Sequence, residues 1–288
     1  MPELPEVETV RRGLAPVMEG AVFASVEMRR SDLRFPLPTD FRRRLQGNEV
    51  KALRRRGKYL IADLSSGESL ISHLGMTGRF TVRAAAGTSR PGDFYNAGSV
   101  DPAHDHVSFL MRRPSGQCRI DYNDPRRFGF MDIEPTGSLD KSRHFAGMGP
   151  EPMSPDFTPE ALGAGLSGRS APIKAALLDQ GVVAGLGNIY VCEALFRSKI
   201  SPRRQARNLS PAKTAQLCRT IREVLAEAIE AGGSTLRDFA AADGAPGIFQ
   251  DRFQVYGRDL EPCPRCGSPI RRLVQSGRST FYCAACQR

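Results

Sequence analysis

Four cysteines near the end of the chain constrain its folding more than any other feature. Cys263-Pro264-Arg265-Cys266 and Cys283-Ala284-Ala285-Cys286 are two C-x2-C knuckles separated by sixteen residues. Two such pairs supply four thiolates in a tetrahedron, the arrangement that structural Zn²⁺ takes, and leave no coordination position open to activate water. A doubled motif disfavours a redox dithiol, while the spacing alone leaves an iron–sulfur centre open. Gly267 suits a tight knuckle and Thr280-Phe281-Tyr282 a strand. A hairpin this small has little core, so the metal is expected to supply much of its folding energy. Cys118, Cys192 and Cys218 stand alone and read as small hydrophobes. Seven is an odd count, and the acidic start Met1-Pro2-Glu3-Leu4-Pro5-Glu6 has no signal-peptide order, so a disulfide framework is not expected.

The remaining sequence has room for two ordinary domains within its 288 residues. Lys and Arg total 41 against 31 Asp and Glu, a net charge of +10. The excess is clustered in Arg42-Arg43-Arg44, Arg54-Arg55-Arg56-Gly57-Lys58 and Arg126-Arg127, and Arg271, Arg272 and Arg278 lie between the knuckles. A polyanion is the natural partner of such clusters, because each neutralised phosphate releases a counterion; a solvated basic face is the plainer alternative. No apolar run reaches the length of a bilayer span, so no membrane partner and a cytoplasmic location are expected.

Along the chain the pattern changes twice. Glu3 to Leu14 reads as a short helix, with Leu4, Val7 and Leu14 on one face and Gly13 near its stop. Pro5 is tolerated in a first turn that has no donor to lose. Glu3 and Glu6, three apart, lie on one face beside the chain start. From Ala21 to about Ile133, short apolar runs broken by turns predict an antiparallel sandwich or barrel. Val50 to Leu64 and Ser69 to His73 form one hairpin about Ser65-Ser66-Gly67, and Val107 to Met111 pairs with Gln117 to Tyr122. Pro135 to Pro159 reads as a linker. Helices follow at Ile173 to Asp179, at Asn188 to Ser198 after the glycine-rich turn 181–187, and from Pro211, capped by Ser210, to Gly232-Gly233. The expected domains are 2–133, a linker 134–159, 160–252 and 253–288.

Pro2 becomes the N-terminal residue once Met1 is removed, and its imino group is then a secondary amine. An α-amine with a pKa near 7.7–8.0 is roughly one-tenth to one-fifth unprotonated at pH 7, far more nucleophile than a lysine offers. Glu3 lies adjacent, as a general acid/base should. Alone, these residues read first as an ordinary helix start.

Six motifs change that balance. Met1-Pro2-Glu3-Leu4-Pro5-Glu6-Val7-Glu8-Thr9, Arg56-Gly57-Lys58-Tyr59-Leu60, His73-Leu74-Gly75-Met76-Thr77-Gly78, Asp124-Pro125-Arg126-Arg127-Phe128-Gly129, Gly185-Leu186-Gly187-Asn188-Ile189-Tyr190 and the cysteine ribbon occur in that order over nearly the whole chain. Together they resemble the bacterial formamidopyrimidine-DNA glycosylases. The resemblance implies an α+β multidomain fold: an N-terminal antiparallel β-sandwich with an N-terminal helix, a helix–two-turn–helix domain and a C-terminal zinc-ribbon β-hairpin. It implies one structural Zn²⁺ on Cys263, Cys266, Cys283 and Cys286, and damaged double-stranded DNA bound by a monomer, which would bring the cytoplasmic chain to the nucleoid.

The implied reaction is bifunctional. Pro2 attacks C1′ and displaces an oxidised purine, and β- and δ-elimination then cut the strand. Glu3 is the main acid/base, and Lys58 and Arg278 match the positions of the proton donors for the eliminations; phosphate binding is their plainer role. The damaged nucleotide must leave the stack, and by resemblance Met76, Arg126 and Phe128 fill the gap, although core packing is the ordinary role of a Met and a Phe. Asn188 and Tyr190, at a helix entry that favours phosphate, and His73, His104 and Arg169 resemble further DNA contacts. Helix capping for Asn188 and a structural role for His73 are the alternatives, and Arg169 lacks the dense basic run expected around it. His104-Asp105-His106 offers no third ligand and is not read as a metal site. Glu6, Ser234, Thr235 and Arg237 are candidates for base contact, the last three in the stretch Ser234 to Tyr256, which resembles a loop that closes over the lesion.

Two other functions remain open on sequence alone. The endonuclease VIII branch uses the same nucleophile on oxidised pyrimidines; Leu4, Lys58 in its Gly-Lys-Tyr context and Met76 favour the purine branch. A non-catalytic zinc-ribbon nucleic-acid binder explains charge and cysteines but not the N-terminal motif.

Overall fold

A computed structural model describes residues 2–85, 87–91, 100–234 and 248–288. The chain divides into two compact units, Met1–Ala146 with Ile229–Ile248, and Gly147–Ala228 with Phe249–Arg288.

The first unit opens with helix α1, Leu4–Met18. It runs past Gly13 because Leu14 and Met18 are both buried in the core, so the apolar stripe continues for another turn. Strands β1 (Val22–Met28), β5 (Arg79–Ala84), β6 (Gly87–Ser89), β7 (Asp105–Arg113) and β8 (Gly116–Asn123) form a sheet in the order β1-β7-β8-β5-β6. The second sheet has the order β2-β3-β4-β9, from β2 (Val50–Arg56), β3 (Tyr59–Leu64), β4 (Glu68–His73) and β9 (Phe130–Pro135). All their strand pairs are antiparallel. One core of alternating residues, including Phe23, Leu53, Leu60, Leu70, Phe109 and Ile120, joins both sheets to α1. A short helix α2 (Phe41–Leu45) covers β1.

The run Val50 to Leu64 is two strands, contrary to the single strand expected. Gly57 takes φ 56° between Arg56 and Tyr59, which face each other across the turn. A glycine with positive φ at the first central position closes a two-residue hairpin, and this turn carries Lys58.

The second unit holds α3 (Pro159–Leu166), α4 (Ile173–Leu178), α5 (Asn188–Arg197) and most of α6 (Pro211–Glu230). Helix α3 was not expected, since Gly163 and Gly165 dilute its pattern; Gly165 lets the backbone approach Val182. The hairpin β10 (Arg271–Gln275) and β11 (Arg278–Tyr282) turns at Ser276 and Gly277, both with positive φ. It packs on α5 through Cys192, Phe196, Val255, Ile270 and Phe281. Glu193 of α5 is fully buried and accepts the N–H groups of Gln254, Val255 and Tyr256 at 2.9–3.1 Å. Among the described residues, no helix is long and apolar enough to cross a membrane.

Candidate active site and zinc centre

Pro2, Glu3 and Glu6 are all buried at the start of α1. Glu6, at the third helical position, accepts the Glu3 N–H at 2.9 Å, satisfying a donor that the helix leaves orphaned. Its other oxygen accepts the N–H and hydroxyl of Ser234 at 2.9 and 3.0 Å. Two residues expected as base contacts are therefore brought together, and they brace the peptide next to the candidate nucleophile. Thr235 and Arg237 lie outside the described residues, as does Met1.

Lys58 is 6 % exposed in the β2–β3 turn. Its charge acts on His73 of β4, whose pKa falls to about 4, first through burial and then through Lys58, Arg34 and His144. His73 Nδ1 accepts the Gly75 N–H at 3.0 Å, so the proton of the neutral ring sits on Nε2. The ring stacks on Phe130, which stacks in turn on His144. Sequence reasoning missed His144, which lies in the stretch read as linker. Its Nε2 is 2.6 Å from Asp132 Oδ2, which Arg143 also engages at 2.6 Å. Burial pushes the Asp132 carboxyl up, but His144, Arg143 and the Ile133 N–H together bring it down to about 2. Glu134 stands close enough to complete a three-ligand cluster with Asp132 and His144, yet the Arg143 guanidinium on the same oxygen makes this an ion-pair network.

Met76, Arg126 and Phe128 converge. With Arg34, His73 and Gly75 they line a cavity of about 630 Å³. Phe128 is 43 % exposed, so core packing does not account for it. The Arg126 guanidinium lies 4.7 Å from the centre of its ring. The two turns touch through backbone: a Cβ on Gly75 would lie 2.3 Å from the Phe128 carbonyl carbon and the Gly129 nitrogen.

His104 and His106, two apart, do not share one strand. His104 ends a 3₁₀ turn, Pro102–His104, and its side chain is 41 % exposed; His106 is buried with Nε2 2.9 Å from the Asp124 carbonyl. The ladder is irregular between Asp105 and Val107, which breaks the two-residue period.

In the second unit, Asn188 opens α5 but does not cap it; Gly187 occupies that position. The Asn188 amide instead donates to the Ser279 carbonyl at 2.9 Å, and the fully buried Lys174 reaches the same carbonyl at 3.3 Å. Both tie down β11 one residue from Arg278, whose side chain is exposed. Lys174 was not singled out in the sequence; an apolar helix face carrying one lysine was its only signal. Tyr190 has no exposed surface and packs its ring against Phe249, so any part in phosphate binding falls to its backbone. Arg169 is paired with Asp179 at 2.8 Å.

Cys263, Cys266, Cys283 and Cys286 bring their sulfurs within 4.8 Å of one another. The pairs Cys263–Cys286 and Cys266–Cys283 stand 3.9 and 3.5 Å apart. A Zn–S bond of about 2.3 Å gives a tetrahedron with edges of about 3.8 Å, so the four sulfurs fit one zinc ion.

Residues 1–131 match the Formamidopyrimidine-DNA glycosylase N-terminal domain, 148–240 the Formamidopyrimidine-DNA glycosylase H2TH domain, and 261–288 the zinc finger found in FPG and IleRS. The chain is 55% identical over 290 residues to the formamidopyrimidine-DNA glycosylase of Ruegeria pomeroyi, covering 100% of both. Among solved structures it is similar to the MutM (Fpg) protein of Thermus thermophilus, with TM-score 0.83 and 39% identity over 99% of this chain and 98% of that one. It is also similar to the Lactococcus lactis Fpg (MutM) in complex with DNA containing N7-benzyl-Fapy-dG, with TM-score 0.84 and 34% identity over 100% of each chain. With its sandwich, helical domain and one structural zinc all accounted for, the chain belongs to the formamidopyrimidine-DNA glycosylase family.

Proposed function

We propose that this protein excises oxidised purines such as 8-oxoguanine and formamidopyrimidines from duplex DNA and then cleaves the abasic strand. After loss of Met1, the neutral imino nitrogen of Pro2 attacks C1′ of an extrahelical nucleotide. The C1′–N bond breaks, the base leaves with the bonding pair and a proton, and an iminium joins Pro2 to the opened sugar. Loss of a C2′ proton expels the 3′ phosphate, and a second elimination expels the 5′ phosphate. Glu3 carries the first proton transfers, and Lys58 and Arg278 serve the eliminations and hold phosphate. Met76, Arg126 and Phe128 fill the gap left in the stack: two bulky side chains wedge the step, and the guanidinium meets the orphaned partner base. His73, His104, Asn188, Arg169 and the backbone at Tyr190 face the DNA backbone.

The observation that carries this reading is the start of α1. A proline nitrogen and two carboxylates are buried together, with Glu6 spanning the Pro2–Glu3 peptide and Ser234. A capping box of Glu3 and Glu6 gives both carboxylates a structural task, and the reading rests on their setting beside the Pro2 nitrogen. The purine branch is further supported by the N7-benzyl-Fapy-dG-containing DNA bound to the similar Lactococcus lactis protein.

Borohydride should trap a covalent complex between the protein and a duplex containing 8-oxoguanine, and Pro2→Gly should abolish it. Absence of any trapped species would leave a zinc-ribbon binder as the better account. A duplex containing thymine glycol should be processed more slowly; faster turnover of it would move the chain to the pyrimidine branch.

A further inference from the structure

We propose that Thr77 and Asp124 are positioning residues that fasten Met76, Arg126 and Phe128 into one preassembled wedge. The inference rests on the gap-filling role proposed for those three side chains and adds how they are held.

The three come from two separate turns, 74–78 after β4 and 124–129 after β8. Between the turns lies one polar cluster. The Thr77 hydroxyl donates to Asp124 Oδ1 and accepts the Arg126 N–H at 3.3 Å. Asp124 Oδ2 accepts the Gly129 N–H at 2.8 Å and faces the Tyr122 hydroxyl at 3.4 Å. The Asp124 carbonyl accepts the Arg127 N–H at 3.1 Å, closing the turn that presents Arg126 and Phe128. Asp124 and Tyr122 are fully buried. One carboxylate thus receives a group from the residue after Met76 and another from the residue after Phe128.

The energetic reason for such a clamp is entropy. Met and Arg are among the side chains that lose most rotamer freedom on ordering. Three independent insertions into a base stack would each carry that loss at the moment of binding. Turns already joined by charge-assisted hydrogen bonds, with their backbones in contact, meet the backbone share of the ordering cost during folding. The hydroxyl of Thr77 reaches from the first turn to two points of the second, the Asp124 carboxylate and the Arg126 N–H.

The decisive comparison sets two substrates side by side. Excision of 8-oxoguanine from a duplex needs the wedge, because the lesion starts inside the stack. Borohydride trapping on a single-stranded abasic oligonucleotide needs Pro2 but no wedge. Thr77→Val keeps the shape and removes the hydroxyl, and should slow duplex excision about tenfold while trapping on the single strand stays at the wild-type level. Thr77→Ser restores the donor and should restore duplex excision. If Thr77→Val does not fold, Thr77→Cys, similar in size with a poor donor, should give the same split. Duplex excision at the wild-type rate, or equal loss on both substrates, would overturn the clamp. Failure of the wild-type protein to trap either substrate would instead overturn the reaction assigned above.

Discussion

His73 shows how much a single protonation state can fix. Burial, Lys58, Arg34 and His144 hold it neutral down to about pH 4, against an ordinary value of 6.5. Neutrality leaves Nδ1 free to accept from Gly75, and so to anchor the turn that carries Met76. In the unfolded chain the same ring takes up a proton at 6.5, so the unfolded state binds more protons throughout the interval. The neutral ring's contribution is fully present above about pH 6.5 and lost as pH falls to about 4, amounting to about 3 kcal/mol. Urea unfolding at pH 7 and pH 4.5 should therefore show a larger acid loss for the wild type than for His73→Gln. Identical losses would mean that the ring is not held neutral by its surroundings. Lys58, expected as a proton donor, is thus also a charge that keeps a neighbouring imidazole uncharged.

At the scale of elements, Glu193 binds the segment 254–256 to helix α5 by accepting three backbone N–H groups. Burial raises the pKa of its carboxyl, and these three donors oppose that rise. Glu193→Ala would leave buried donors without an acceptor, and at about 1–3 kcal/mol for each such group the loss should exceed about 3 kcal/mol. Calorimetry should report it as a fall in Tm, and an unchanged Tm would mean that water replaces the carboxylate there. The sequence showed the elements around this anchor unevenly. Helices α5 and α6 were legible because Gly187, Ser210-Pro211 and Gly232-Gly233 bound them, and α4 because Pro172 opens a run free of glycine. Helix α3 was not, because two glycines sit within eight residues. The split of β2 from β3 was hidden because Gly57 and Lys58 sit inside a basic run with no other turn residues. Motif residues such as Met76 and Arg126 could be named because they stand in short motifs that resemble those of the family. Thr77, Asp124, His144 and Lys174 act through partners far along the chain, up to 105 residues for Lys174 and Ser279. No local pattern reports such a pairing.

Across the whole molecule, the zinc finger and the sandwich differ in what stabilises them. The first unit has a continuous apolar core across two sheets and a helix. The hairpin's own cluster is a handful of residues shared with α5, so zinc binding contributes much of its folding free energy. A chelator should remove hydrogen-exchange protection from β10 and β11 and lower DNA affinity, while the amides of β3, β4 and β8 stay protected. Retention of hairpin protection without metal would show that packing on α5 suffices.

The path of α6 limits how this protein can be taken apart. Its body belongs with the second unit, while its last residues and Ser234 belong with the first. A fragment ending at Ala146 would contain every strand of the sandwich yet omit the donors that Glu6 receives from Ser234. No single cut within the chain yields both units whole. Preparing either alone calls for joining stretches distant in sequence, and the buried carboxylate beside the N-terminus would be the first group to lose its partners from a simple truncation.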